Sequence, residues 1–356
     1  MSASPLANRA ARLIVDLDAV AANYNRLKSL APSSGMAAVV KADAYGLGAE
    51  AIATRLIREG CREFFVATAP EGAALRQTLN DPAVRIWVLN GFEAAAASRF
   101  TKAQLAPVLS TPQQAADYRA SGLTAPFALH VDSGMHRLGV SPKDAAALAA
   151  GGLAPTLVMS HLACSEEPAD PMNPAQRARF LDVASLFPDA RRSLANTGGV
   201  YLGDAYHFNL CRPGIGLAGA TALPGQAHGL TPAARLEAPI LQLHDLKPGD
   251  TVGYGASFTA DKAMLAATVA AGYADGLPRS LSNTGWARVG GVKAPILGRV
   301  SMDLTVLDVT DAENAARAGE AAVLFGEDLD AMATAAGTLP YELLTGIGGR
   351  VERVAG

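Results

Sequence analysis

Between residues 36 and 212, short apolar runs alternate with longer alanine-rich segments of helical spacing, and this rhythm limits the possible folds more than any other feature of the chain. The runs, many of them β-branched, are MAAVVKA (36–42), REFFVAT (62–68), VRIWVLN (84–90), LAPVLS (105–110), FALHVD (127–132), TLVMSHL (156–162), RSLANT (192–197) and HFNLCR (207–212). Between them lie amphipathic stretches such as GAEAIATRLIREG, STPQQAADYRASG and NPAQRARFLDVASLF, where Ser or Asn near Pro marks a helix start and Gly a helix stop. Runs that are apolar on both faces suit a parallel sheet covered by helices. Eight such units predict an α/β fold of the (β/α)8 TIM-barrel type, with an open doubly wound sheet as the competing architecture.

After about residue 235 the rhythm stops. Segments such as APILQLHDLKPGDTVGYG and WARVGGVKAPILGRVSMDLTVLDVT are short β-like runs broken by Gly, Pro and Asp, with helical character only near LDAMATAAG. The expectation is a barrel over 12–235 and a mainly β C-terminal domain over 236–356. The Lys-Pro-Gly-Asp stretch (247–250) predicts a tight turn. The N-terminal strand 10–17 is a candidate to complete the second domain, and Asp18 is the expected N-cap of the helix that follows.

Half of the 356 residues are hydrophobic, enough for a large core, and a net charge of −3 gives no basic footprint for nucleic acid or an anionic membrane. Three cysteines without CxxC spacing argue against both a disulfide framework and a zinc site. No apolar leader core follows the N-terminus and no run of 18 apolar residues occurs, so a cytoplasmic protein acting on a small molecule is expected.

Barrel enzymes carry their reactive groups at the C-terminal ends of the strands. By this rule Lys41 closes the first strand, Asp132 the fifth, His161 the sixth, Asn196 and Thr197 the seventh and Arg212 the eighth. A lysine at a strand end is ordinarily a strand that has reached the surface. Here, however, CRPGIGLAG (211–219) follows the last strand, where barrels bind phosphate through backbone N–H groups. The glycines alone would mean a tight turn. A phosphate site beside a strand-end lysine points to pyridoxal 5'-phosphate, whose aldehyde condenses with a lysine amine.

The stretch VVKADAYGLG (39–48) resembles the cofactor-lysine signature of the alanine racemases. The similarity continues through HVDSGMHRLGV (130–140), SHLACSEE (160–167), LANTGG (194–199), CRPGIGL (211–217), VGYGASF (252–258), AGYADGLPR (271–279), GRVSMDLTVLD (298–308) and YELLTGIGGRV (341–351). This resemblance implies a pyridoxal-phosphate isomerase acting as a homodimer and supplying D-alanine for peptidoglycan. It implies that Lys41 binds the cofactor covalently and serves as one base, while Tyr273, from the partner subunit, serves as the other. On residue type alone, Tyr273 would be a hydroxyl at a hairpin rim and His161 a packed core histidine. The resemblance places Arg212 at the pyridine nitrogen with His161 beside it, and the phosphate against Tyr45, Thr197, Gly214 and Ile215; Asn196 is a further expected cofactor-binding residue. Arg137, Met302 and Asp303 fall at substrate-side positions.

The chain departs from the family pattern at three points. His130 stands where many relatives carry a carbamylated lysine, Gly349 where many have a tyrosine at the entrance, and Ala218 where GIALYG versions have a tyrosine. A wider pocket follows, so a broader or basic amino-acid racemase of the same fold is the alternative reading. A decarboxylase fits less well, because Arg212 opposes the electron sink that decarboxylation exploits. A non-catalytic pyridoxal-phosphate-binding protein would not need the second domain.

Overall fold

The computed structural model describes residues 10–220 and 228–356. The first nine residues, where the sequence reading expects no apolar leader core, lie outside the described residues. The chain forms two compact units, one of residues 20–231 and one joining the described residues before 20 to 232–356.

In the first unit seven parallel strands pair in sequence order: Ala38–Val39, Glu63–Val66, Arg85–Val88, Leu105–Leu109, Ala128–His130, Leu157–Met159 and Arg191–Ser193. The eighth, Leu210–Cys211, pairs in parallel with Gly35–Met36, just before the first. On its other side Asn209 N donates to Arg192 O (3.0 Å) and Arg212 N to Ala195 O (2.8 Å), which closes the ring. The fold class read from the sequence is therefore a (β/α)8 barrel and not an open sheet. Its interior is filled by Ala37, Phe65, Trp87, Val108, Leu157, Met159 and Leu210, and Phe65 stacks on Trp87 at 5.9 Å between centroids. At the N-terminal end of the strands Glu63 accepts two hydrogen bonds from Arg191 at 2.8 Å and one from Trp87 Nε1 at 2.9 Å. This network neutralises a carboxylate that would otherwise be costly at a barrel floor.

The strands are shorter than the apolar runs that announced them, and this shifts the expected site residues. Lys41, Asp132 and His161 do not close strands. Each lies two residues beyond a strand end, and Arg212 one residue beyond. Inter-strand hydrogen bonds continue one residue past these strand ends, from Val40 N to Phe65 O (2.8 Å), Val131 N to Met159 O (2.8 Å) and Ser160 N to Ser193 O (3.1 Å), so the apolar runs extend beyond the regular ladders.

The second unit is built on the long strand Ala234–Leu246, which pairs antiparallel with Arg12–Val15, Ala321–Phe325 and Met264–Val269. Arg12–Val15 also pairs in parallel with Glu352–Ala355. These ladders group residues 12–19 and 232–235 with the β unit. Lys247–Asp250 is a tight turn, with Asp250 N donating to Lys247 O (3.0 Å) and Lys247 N to Asp250 Oδ2 (2.7 Å). The first helix, Leu17–Leu30, is capped by Asp16 and not by Asp18: Asp16 Oδ1 accepts from Ala19 N at 2.8 Å, the reach of an N-cap to N3. Among the described residues no helix is long and apolar enough to cross a membrane.

Candidate active site

Lys41 opens a short turn, Lys41–Gly46, in which Ala42, Asp43, Ala44 and Tyr45 all have left-handed dihedrals, with φ of 50, 54, 52 and 59°. A left-handed conformation costs an ordinary residue about 1–2 kcal/mol, so four in succession need external support. Glu71 supplies part of it. Its Oε1 accepts from Ala42 N (3.1 Å), while Oε2 accepts from Ala67 N (2.7 Å) and Thr68 N (3.2 Å). One carboxylate thus ties the turn after Lys41 to the end of the next strand and completes the capping box of the helix Ala69–Leu79. Asp43 Oδ1 accepts from Ala49 N (2.7 Å) and holds the far end.

This turn delivers Tyr45 to the loop after the eighth strand. Tyr45 is buried, and a Cβ on Gly214 would lie 2.0 Å from its hydroxyl oxygen, so only glycine lets the phenol approach the backbone there. Thr197 Oγ1 accepts from Gly214 N (3.1 Å) and Gly216 N (3.2 Å). Asn196 Oδ1 accepts from Gly199 N (2.9 Å) and caps the turn Thr197–Tyr201. Asn196 therefore shapes the loop through its side chain. Tyr45, Thr197 and Gly214 come together here, and Ile215 follows Gly214 in the same loop. Burial pushes the Tyr45 phenol pKa up, leaving a neutral hydrogen-bonding group.

Arg212 is buried beside this cradle. Its Nη1 donates to Ser193 Oγ, its Nη2 to Ser160 O (2.6 Å), and its Cζ lies 5.9 Å from the centre of the Phe65 ring. Burial lowers its pKa to about 10, which still leaves it charged at neutral pH. That charge adds to burial in lowering the pKa of the two histidines near it. His161 is pushed well below its ordinary value by burial and then by Arg212, Arg137, His130 and Lys41. His130, buried on the strand Ala128–His130, is lowered to about 4 by burial and then by Arg212 and Arg137. Among the described residues its Nδ1 has no hydrogen-bond partner. The Lys41 ammonium is destabilised by burial and by Arg137, against an opposing pull from Glu71. A lysine with a lowered pKa has more free amine, the form that attacks an aldehyde.

Arg137 is exposed, on a loop shaped by Asp132, whose Oδ1 accepts from Gly134 N (2.8 Å) and His136 N (3.1 Å). Asp132, a candidate from its place near a strand end, is thus committed to its loop. Lys41, Tyr45, Arg137, His161, Thr197, Arg212 and Gly214 cluster at one end of the barrel. This donor set fits pyridoxal phosphate: an amine poised for the aldehyde, a guanidinium without an acceptor, and a glycine-lined cradle with two hydroxyls.

Tyr273, Met302 and Asp303 form a second cluster in the β unit. Tyr273 lies in the 3-10 turn Tyr273–Asp275. Tyr273 N donates to Ser301 O and Ala274 N to Met302 O, both at 3.0 Å. The Tyr273 ring is 45% exposed and Met302 53%. Sequence reasoning missed Glu71, Ser160 and Ser193: Glu71 carries a local signal, the Thr68–Glu71 capping box, whereas the contacts of Ser160 and Ser193 with Arg212 span 52 and 19 residues and leave none. Gly349, expected at the entrance, offers open space: a Cβ there would meet no atom within 4 Å.

Comparison with known proteins agrees with this architecture. Residues 15–222 match the family model of the alanine racemase N-terminal domain and residues 233–355 that of the C-terminal domain. An alanine racemase of Rhodospirillum rubrum is 45% identical over 96% of this chain and 95% of its own length, and one of Methylobacterium nodulans is 44% identical with the same coverage. Among solved structures, the alanine racemase of Bartonella henselae with covalently bound pyridoxal phosphate superposes with a TM-score of 0.91 at 34% identity, covering 97% of this chain and 99% of that one. The biosynthetic alanine racemase of Pseudomonas aeruginosa gives 0.91 at 37% identity, covering 98% and 99%. On the strength of both domain models and near-full-length identity, the chain belongs to the alanine racemase family.

Proposed function

We propose that this chain interconverts L- and D-alanine with pyridoxal 5'-phosphate, using Lys41 and Tyr273 as proton-transferring groups on opposite faces of the substrate. The observation that carries the reading is the half-buried Lys41 at the same barrel end as buried Arg212 and the Tyr45–Thr197–Gly214 cradle. When bound, the cofactor supplies an electrophilic aldehyde and an electron sink that acidifies the α-hydrogen. Lys41 Nζ, its charge weakened by its surroundings, holds or releases a proton on one face. The Tyr273 phenolic oxygen does so on the other, since inversion needs a second acid/base group there. Arg212 has no acceptor and stays charged, so it orients the ring without donating a proton to it. His161, kept neutral, orients Arg212. Tyr45, Asn196, Thr197, Gly214 and Ile215 hold or shape the phosphate site, while Arg137, Met302 and Asp303 receive the substrate.

In this reading the active unit is a cytoplasmic homodimer in which Tyr273 serves the partner's Lys41, and its D-alanine feeds peptidoglycan. The exposure of Tyr254 (73%), Tyr273, Met302 and Leu304 (40%) in the β unit supports a partner surface there. A second reading, activity on larger amino acids, is favoured by the open space at Gly349.

Mixing Lys41→Ala chains with Tyr273→Phe chains tests the shared site. Heterodimers should regain one working site and part of the turnover. No recovery despite confirmed subunit exchange would contradict the assignment.

A further inference from the structure

Tyr273 is half exposed, so its place depends chiefly on the backbone that carries it. That backbone is gripped from two sides. A Cβ on Gly272 would lie 2.2 Å from Ser301 O, one on Gly276 (φ +102°) 2.7 Å from Ile347 Cα, and one on Gly348 2.2 Å from Ala274 O. The turn is therefore pressed between residues 301–302 and 346–348 with no room for side chains at those contacts. Gly348 N also donates to Asp275 O at 3.3 Å.

One side chain spans the same three segments. Arg350 donates from Nε to Asp275 Oδ1 (2.7 Å), from Nη2 to Asp275 Oδ2 (2.9 Å) and from Nη1 to Asp303 Oδ1 (2.7 Å). Asp275 is 4% exposed, and its Oδ2 also accepts from Gly272 N at 2.9 Å. A buried carboxylate with all of its charge directed at one arginine and one backbone N–H is costly once the arginine is removed. Only a planar fork with several donors can serve three carboxylate oxygens in this way; an ammonium is a point donor.

We infer that Arg350 is a positioning residue that sets Tyr273 and Asp303 in register through Asp275, touching neither the reacting atoms nor the cofactor. The inference rests on the reading of Tyr273 as a proton-transferring group. Displacement of a catalytic group by about 1 Å costs on the order of 100-fold in rate, so a loosened turn should be visible in kcat.

The test compares Arg350→Gln and Arg350→Lys in the cofactor-loaded enzyme, each made alone and combined with Tyr273→Phe, with hydrogen exchange followed by mass spectrometry. Arg350→Gln should lower kcat for alanine by tenfold or more in both directions, with Arg350→Lys recovering only part of it. Neither change should reduce the residual α-hydrogen exchange of the Tyr273→Phe enzyme further, because the group being positioned is already gone. Backbone exchange over 272–277 and 301–304 should quicken while the barrel is unchanged. Equal losses in the Tyr273 and Tyr273→Phe backgrounds, or unaltered exchange over 272–277, would overturn the inference. Should Tyr273→Phe retain full turnover, the base assignment itself fails, and the exchange data still decide whether Arg350 fixes the turn. If Arg350→Gln does not fold, the Arg350→Lys pair carries the same comparison.

Discussion

The turn that carries Lys41 and the turn that carries Tyr273 solve one problem by opposite means. Lys41 is followed by four non-glycine residues in the left-handed region, held there by hydrogen bonds to Glu71 and Asp43. Tyr273 sits in a turn with glycines at 272 and 276, whose missing side chains let neighbouring backbones press against it. The barrel thus fixes its amine by imposing strain on ordinary residues, and the β unit fixes its phenol by removing side chains and adding an ion pair. Strained backbone of the first kind persists only where its surroundings over-determine it.

The largest effect separates the two groups chemically. Lys41→Ala should abolish turnover and the visible absorbance of bound cofactor together. Tyr273→Phe should keep the absorbance and lose about 10²–10⁴ in kcat, the usual contribution of a general acid or base. Spectra and chiral analysis of the two variants check this, and loss of colour in Tyr273→Phe would erase the distinction.

Acid should weaken the barrel specifically. His130 in the folded chain titrates near 4, against 6.5 for a free histidine, so between those values the unfolded chain binds a proton that the folded one does not. Stability should therefore fall as pH drops from about 6.5 toward 4, by an amount on the order of 2–3 kcal/mol. Urea unfolding across that range reads the slope, and His130→Asn should reduce it, leaving the part that His161, also held below its ordinary value, contributes with the same sign. An unchanged slope would mean that other groups carry the acid sensitivity.

The two turns should respond oppositely to a change of one methyl group. Gly276→Ala places a Cβ against the backbone of residues 346–347 at a left-handed φ and should destabilise by about 1–3 kcal/mol. Ala42→Gly relieves a left-handed alanine and, after the added entropy of the unfolded chain, should be neutral or stabilising by up to about 1 kcal/mol. Thermal denaturation of both variants measures the pair, and destabilisation by Ala42→Gly beyond that range would show that the strain account of the Lys41 turn is wrong.

The sequence made one of these turns more legible than the other. Eight apolar runs announced the barrel because parallel strands buried on both faces leave a plain signal, and Lys41 stood out as a charge at the end of the first. The left-handed turn after it left none, since Ala-Asp-Ala-Tyr is ordinary helical material and the hydrogen bond that Ala42 N donates to Glu71 crosses 29 positions of sequence. The glycines around Tyr273 were visible as GYADG, yet their reason lies in contacts with residues 301–302 and 346–348. Arg350 was hidden for the same cause, because its partner Asp275 is 75 residues away. The misplaced helix cap, Asp18 for Asp16, arose because two acids flank the same start.

The most direct test of the central claim follows the α-hydrogen of each alanine enantiomer in D2O by NMR, with chiral analysis, for the wild-type chain, Lys41→Ala and Tyr273→Phe. The wild-type enzyme should exchange and invert both enantiomers, Lys41→Ala neither, and Tyr273→Phe should exchange one enantiomer without inverting it. Cofactor bound to the wild-type chain with no exchange of either enantiomer, or inversion at the wild-type rate in either variant, would contradict a two-base racemase built on Lys41 and Tyr273.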